Sequence, residues 1–86
     1  MNTISAEISL YPLRQLTIGE SVECALHALR TYDIELNTGP MSTVLAGNEN
    51  EVFAALRGSF RAACDRGDAV MVAIVSNACP LHRDES

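Results

Sequence analysis

Cys24 and His27 stand three residues apart, a spacing that brings two side chains to the same side of a helix. A thiol beside an imidazole could be a nucleophile with its base, or half of a zinc site. Neither assembly is complete. No third residue is evident to orient the imidazole, and no C-x-x-C pair supplies further ligands. Cys24 adjoins the apolar stripe of its helix and His27 lies off it, which reads as a buried thiol beside a surface histidine. His82 sits in a polar tail beside Arg83 and Asp84, without the fixed geometry a general base requires. The sequence therefore predicts no catalytic residue, no metal site and no cofactor, and the chain is expected not to be an enzyme.

Polar residues that could hold a ligand are easier to find. Glu7 stands mid-strand between Ser5 and Ser9. It is either a solvated carboxylate on an open sheet face or, if that face is covered, a group that needs a donor or a cation. Gly39-Pro40-Met41-Ser42-Thr43 can be a plain turn, or a bend that presents the Ser42 and Thr43 hydroxyls. Asn77 follows a buried apolar run and needs hydrogen-bond partners, for which capping the strand end is the simple explanation. Gly47 belongs to no phosphate-cradling glycine loop. Met41 and Met71 read as packing residues.

These groups need elements to position them. Ile4, Ala6, Ile8 and Leu10 alternate with Ser5, Glu7, Ser9 and Tyr11, the period of a half-buried strand, which Pro12 ends. Thr17-Ile18-Gly19-Glu20 has the form of a capping box. Val22, Ala25, Leu26 and Leu29 follow it at helical spacing, predicting a helix from Ile18 to about Thr31. Tyr32 to Pro40 reads as a second strand, with Ile34, Leu36 and Thr38 on one side and Glu35 and Asn37 on the other. Met41 to Gly47 reads as a third, joined to the second in a hairpin. Asn48 with Glu51 caps a second helix, whose expected apolar face comprises Val52, Phe53, Leu56, Phe60, Ala63 and Cys64. Gly67 is its C-terminal stop. Ala69 to Ser76 is the near-continuous apolar run expected of a strand buried on both faces.

The order β-α-β-β-α-β specifies an α+β, ferredoxin-like split βαβ fold, a four-stranded antiparallel sheet with two helices on one face. Residues 1–80 form one domain and residues 81–86 a polar tail. Nothing in the chain covers the second sheet face, which carries Ser5, Glu7, Ser9, Tyr11, Glu35 and Asn37 together with one set of side chains from the last strand. A face of that mixture suits a partner sheet, a ligand or both.

The bulk numbers agree. Eighty-six residues make one small domain, and 48% hydrophobic residues are generous for it, so an oligomer interface is a natural outlet. The net charge of −5, with the six arginines scattered, excludes a nucleic-acid footprint and would favour a cationic ligand. No apolar run approaches a membrane span and the first residues resemble no signal sequence. Cys24, Cys64 and Cys79 read as free thiols of a reducing compartment. A soluble cytoplasmic protein without membrane insertion is expected.

Taken together, the segment Ile4 to Leu13 (ISAEISLYPL), the turn Gly39 to Thr43 followed by a hydrophobic pair and Gly47, the pattern from Val52 to Ala63, and Val70 to Pro80 (VMVAIVSNACP) resemble the YkoF-like thiamine/hydroxymethylpyrimidine-binding proteins. The likeness covers nearly the whole chain to Pro80, and this chain resembles a single-repeat member. The resemblance implies a ferredoxin-like fold, a homo-oligomer (dimer or tetramer) formed through the sheet, and non-catalytic binding of thiamine or hydroxymethylpyrimidine. It also implies a role in vitamin B1 uptake or salvage, with a transporter as a possible partner. An aminopyrimidine offers a donor amine and acceptor ring nitrogens, which a carboxylate and hydroxyls suit. The candidate ligand-binding residues are therefore Ser5, Glu7, Ser9, Tyr11, Ser42, Thr43 and Asn77. At Ala46 the chain departs from the pattern, which would place an acidic residue before the glycine. The alternative reading is a structural or regulatory oligomeric module whose open sheet face binds a protein partner or another small heteroaromatic ligand.

Overall fold

The computed structural model describes residues 3–13, 18–39, 42–65 and 67–78. Its elements are β1 (Thr3–Leu13), α1 (Ile18–Leu29), β2 (Glu35–Thr38), β3 (Thr43–Asn48), α2 (Glu49–Cys64) and β4 (Asp68–Ser76). The strands form one antiparallel sheet in the order β2-β3-β1-β4, and both helices pack on one side of it and on each other. This is the ferredoxin-like α+β fold.

The alternation in β1 decides which side the helices occupy. Ile4, Ala6 and Ile8 are buried and, with Leu45 of β3, meet Leu29 of α1 and Val52 and Ala55 of α2. Each fully buried aliphatic side chain of this kind contributes roughly 1.5–3 kcal/mol. The inward residues of α1 are Ser21, Ala25 and Leu29, one helical stripe. α2 turns Val52, Ala55, Ser59 and Ala63 inward. Small residues dominate both stripes, which lets the helices lie close to the sheet. The Asn48 Oδ1 accepts hydrogen bonds from the backbone N–H groups of Asn50 and Glu51 at 2.9 and 3.4 Å, as the sequence predicts for the cap of α2. Beyond α2, Gly67 takes φ 153°, a conformation that favours glycine, and its N–H donates to the Cys64 carbonyl.

Several expectations are corrected. β2 is shorter than its pattern and α1 ends at Leu29. The Tyr32–Ile34 stretch turns instead of extending, held by backbone bonds from Tyr32 N–H to the Leu29 carbonyl and from Ile34 N–H to the Tyr32 carbonyl. Phe53 and Phe60, assigned to the apolar face of α2, are exposed. The small residues Ala55 and Ser59 occupy the inward stripe instead. β4 is not buried on both faces. It lies at the sheet edge, and Val70, Val72, Ile74 and Val75 are exposed, Ile74 by 65%. Among the predicted signals, Thr17, Pro40, Met41, Cys79, Pro80 and the tail lie outside the described residues.

Gly58 shows a local rule overridden by packing. Alanine in a helix interior is ordinarily preferred to glycine by about 1 kcal/mol, yet a Cβ at Gly58 would collide with the ring and hydroxyl of Tyr32, which packs against the core. Gly58→Ala is therefore expected to lower stability by about 1–2 kcal/mol, as overpacking does. In a Tyr32→Ala background the same change is expected to raise it. Urea unfolding of the four proteins of this cycle measures both signs.

Candidate functional site

β1 is longer than its partner on one side. Its pairing with β3 ends at Ile8 opposite Thr43, whereas its pairing with β4 continues to Leu13 opposite Asp68. Among the described residues, Ser9 to Leu13 thus have strand partners on β4 alone. The β2–β3 hairpin turns back beside this notch, closed by the Gly39 N–H donating to the Ser42 carbonyl at 2.9 Å.

A cavity of about 240 Å³ occupies the notch, between the sheet and α1. Its walls are apolar, with Ile8 and Leu10 of β1, Val22, Leu26 and Leu29 of α1, and Met71 of β4. Its polar residues come from strand ends: Ser9 from β1, Thr38 and Thr43 from β2 and β3, and Ser42 from the hairpin. Among the described residues, none that lines it is ionisable. Thr43 is the telling one. It is 8% exposed, and its hydroxyl has no hydrogen-bond partner among the described residues. Buried hydroxyls are normally paired, because desolvation without compensation costs about 1–3 kcal/mol.

Of the seven residues predicted from the sequence, the structure brings Ser9, Ser42 and Thr43 to this cavity. Ser5, Glu7 and Tyr11 belong to the other sheet face, opposite in phase to Ile4, Ala6 and Ile8, and the Ser9 side chain shares that phase although the residue borders the cavity. There Glu7 lies between Val44 and Ile74, Ser5 between Ala46 and Ser76, and Tyr11 opposite Val70. Glu35 and Asn37 share this face, as predicted, through their register with Ala46 and Val44. Asn77 stands just beyond β4 and is exposed. The Ser42 Oγ donates to the Glu7 Oε2 at 3.0 Å, which places that hydroxyl beside the Glu7 carboxylate.

Sequence reasoning missed the apolar half of the site. Val22, Leu26 and Leu29 were read as core, and Thr38 as a plain strand residue. Nothing local marks them as cavity residues, because the cavity arises from where β3 stops relative to β1. Cys24 is half-buried and His27 exposed on α1; neither lines the cavity. Among the described residues no three His, Cys, Asp or Glu side chains cluster as metal ligands, and no helix is long and apolar enough to cross a membrane.

A two-layer split βαβ sandwich with an apolar, hydroxyl-edged cavity between sheet and first helix is a small-ligand-binding architecture in form. The sequence matches the YkoF-related family over residues 3–82, and the chain belongs to that family. It is 31% identical over 58 residues to the UPF0045 protein MJ1052 of Methanocaldococcus jannaschii, a match that covers 66% of this chain and 58% of that protein's length. The crystal structure of MJ1052 superposes with a TM-score of 0.79 at 23% identity, over 100% of this chain and 89% of that one. A DUF77 domain of unknown function from Bacillus cereus gives 0.79 at 14% identity, over 93% and 82%. The crystal structure of a candidate thiamine biosynthesis/salvage protein from Thermotoga maritima, TM0486, gives 0.73 at 15% identity, over 85% and 81%. At these identities the structural likenesses establish the fold.

The orphaned hydroxyl makes a stability prediction. Thr43→Val keeps the shape and the strand preference and removes a desolvated polar group. We expect the ligand-free protein to gain about 0.5–2 kcal/mol. Thermal unfolding measures it, and an equal loss would show that the hydroxyl is satisfied in the native protein.

Proposed function

We propose that this protein binds thiamine, or its hydroxymethylpyrimidine moiety, without turning it over, and serves vitamin B1 uptake or salvage in the cytoplasm. The observation that carries the reading is the buried Thr43 hydroxyl, without a hydrogen-bond partner among the described residues, in a largely apolar cavity. A protein retains such a group at a cost where a ligand satisfies it. At about 240 Å³ the cavity is smaller than the roughly 300–1,000 Å³ of sites for drug-sized ligands. It suits one heteroaromatic ring, with the remainder of thiamine outside. Flat apolar walls take the ring faces, and the hydroxyls of Thr38 and Thr43, which share the inward phase of Leu45, meet its ring nitrogens and amine. Membership of the YkoF-related family and the structural likeness to the candidate thiamine biosynthesis/salvage protein of Thermotoga maritima point the same way.

The same reading includes a homo-oligomer formed through the sheet, favoured by the exposed apolar residues of edge strand β4. An open edge with a hydrophobic row invites pairing with another chain. A transporter component is its further partner.

Titration calorimetry with hydroxymethylpyrimidine, thiamine and thiamine phosphates tests the ligand. Binding of the pyrimidine is expected, weakened about 5–10-fold by Thr43→Val, the equivalent of roughly 1–1.4 kcal/mol for one hydrogen bond. No heat from any of them at millimolar concentration would refute the proposal. For the assembly, light scattering is expected to show a dimer or tetramer that Ile74→Glu converts to monomer; a wild-type monomer would remove the oligomer.

A further inference from the structure

The two edges of the sheet are built differently. β2 is one edge, four residues long and carrying Glu35 and Asn37, the short polar form that keeps an edge from pairing. β4 is the other. It runs nine residues, and from Ala69 to Val75 it holds no charge, proline or glycine. The helix side beside β4 is open as well. Ala73 and Val75 share the inward phase of Ile8 and Ala6 through their register, yet both are exposed, Val75 by 40%.

α2 packs on β1, β3 and β4. At about 100° per residue, Phe53 and Phe60 lie together on one flank of α2 and Gly58 on the other, on either side of the inward stripe of Val52, Ala55, Ser59 and Ala63. Gly58 faces Tyr32, in the segment that leads to β2. Phe53 and Phe60 are therefore on the flank toward β4, and both are exposed. With Ala73 and Val75 they make one apolar groove along the β4 edge.

The groove is self-complementary. α2 has its midpoint between Leu56 and Arg57, with Phe53 and Phe60 equally far from it, and the midpoint of β4 is Val72. A twofold axis through both midpoints pairs β4 with a second β4 antiparallel, Val70 opposite Ile74 of the other copy. The same axis sets Phe53 of each copy against Phe60 of the other, the reciprocal contact that twofold symmetry requires. We infer that this surface takes a second copy of the chain, joining the two four-stranded sheets into one of eight strands, with Phe53 and Phe60 of the two α2 helices closing the seam on the helix side. A strip as long as β4, about 30 Å, and as deep as the molecule's 17 Å shortest extent covers on the order of 500 Å², close to the roughly 600 Å² per partner at which specific interfaces begin. The backbone ladder adds hydrogen bonds along it. This interface rests on the reading that the protein is a homo-oligomer through the sheet, and it gives that oligomer its surface and symmetry. It also gives a role to two phenylalanines that lie outside the chain's own core.

Sedimentation velocity on the full chain, with double variants at positions 53 and 60, tests the contact. Phe53→Glu with Phe60→Glu sets carboxylates against each other across the axis, and Phe53→Lys with Phe60→Lys sets ammonium groups against each other. Phe53→Glu with Phe60→Lys brings opposite charges together at the same places. Both like-charge variants are expected to dissociate at least about tenfold more readily than the mixed one. They change the net charge in opposite directions, so net charge does not account for that order. Because both side chains are exposed in the single chain, all three variants are expected to fold, which circular dichroism checks. Like-charge variants that assemble as tightly as wild type would overturn this interface while the oligomer stands, built through the open sheet face that α2 does not touch. Equal weakening in all three would overturn the twofold contact of Phe53 with Phe60. A wild-type monomer overturns both the interface and the oligomer.

Discussion

The pairing of β1 on both of its edges is the constraint on which the rest of the molecule depends. A strand held between two antiparallel neighbours has its side-chain phase fixed, because a slip of one residue would exchange every inward side chain for an outward one. With Ile4, Ala6 and Ile8 committed to the helices, Glu7 and its serine neighbours have no choice of face. The same strand outruns β3 and not β4. The difference in length opens the notch that α1 roofs, and the cavity is its consequence.

Function and stability meet at this place. The helix-side residues around the notch come from α1, β1 and β4 and are apolar, while strand ends and the hairpin supply the hydroxyls. Loops and strand ends carry polar groups that the closed part of a core cannot accommodate, and they are where ligand-contacting groups collect. The hairpin is also tied to β1, since the Ser42 Oγ donates to the Glu7 carboxylate. The exposed row on β4 gives the molecule a second unsatisfied feature. That one is apolar, where the Thr43 hydroxyl is polar.

Much of this was legible from the residues. The alternation of β1, the cap at Asn48, the stop at Gly67 and the element order are local signals, and local physics decides them. The resemblance to the YkoF-like proteins and the family match agree. Ser42 and Thr43 were singled out for their hydroxyls and do line the cavity. Phe53 and Phe60 are hydrophobic yet exposed, because Val52, Ala55, Ser59 and Ala63 hold the inward stripe of α2. The apolar run of β4 is likewise not covered on both faces. Its place at the sheet edge depends on which strands pair, and no feature of the run itself reports that.

Sequence alone therefore determined the kind and order of the elements, the inward phase of β1, and the residue types available for ligand contact. Periodicity and capping act over a few residues. Tertiary structure decided that Thr43 is buried, with no partner for its hydroxyl among the described residues, that Ser42 meets Glu7, and that β4 lies on an edge. Each of these follows from where chain segments far apart in sequence come to rest against one another. The Ser42–Glu7 bond joins residues 35 positions apart, and strand lengths and register, which no local pattern encodes, bring them together.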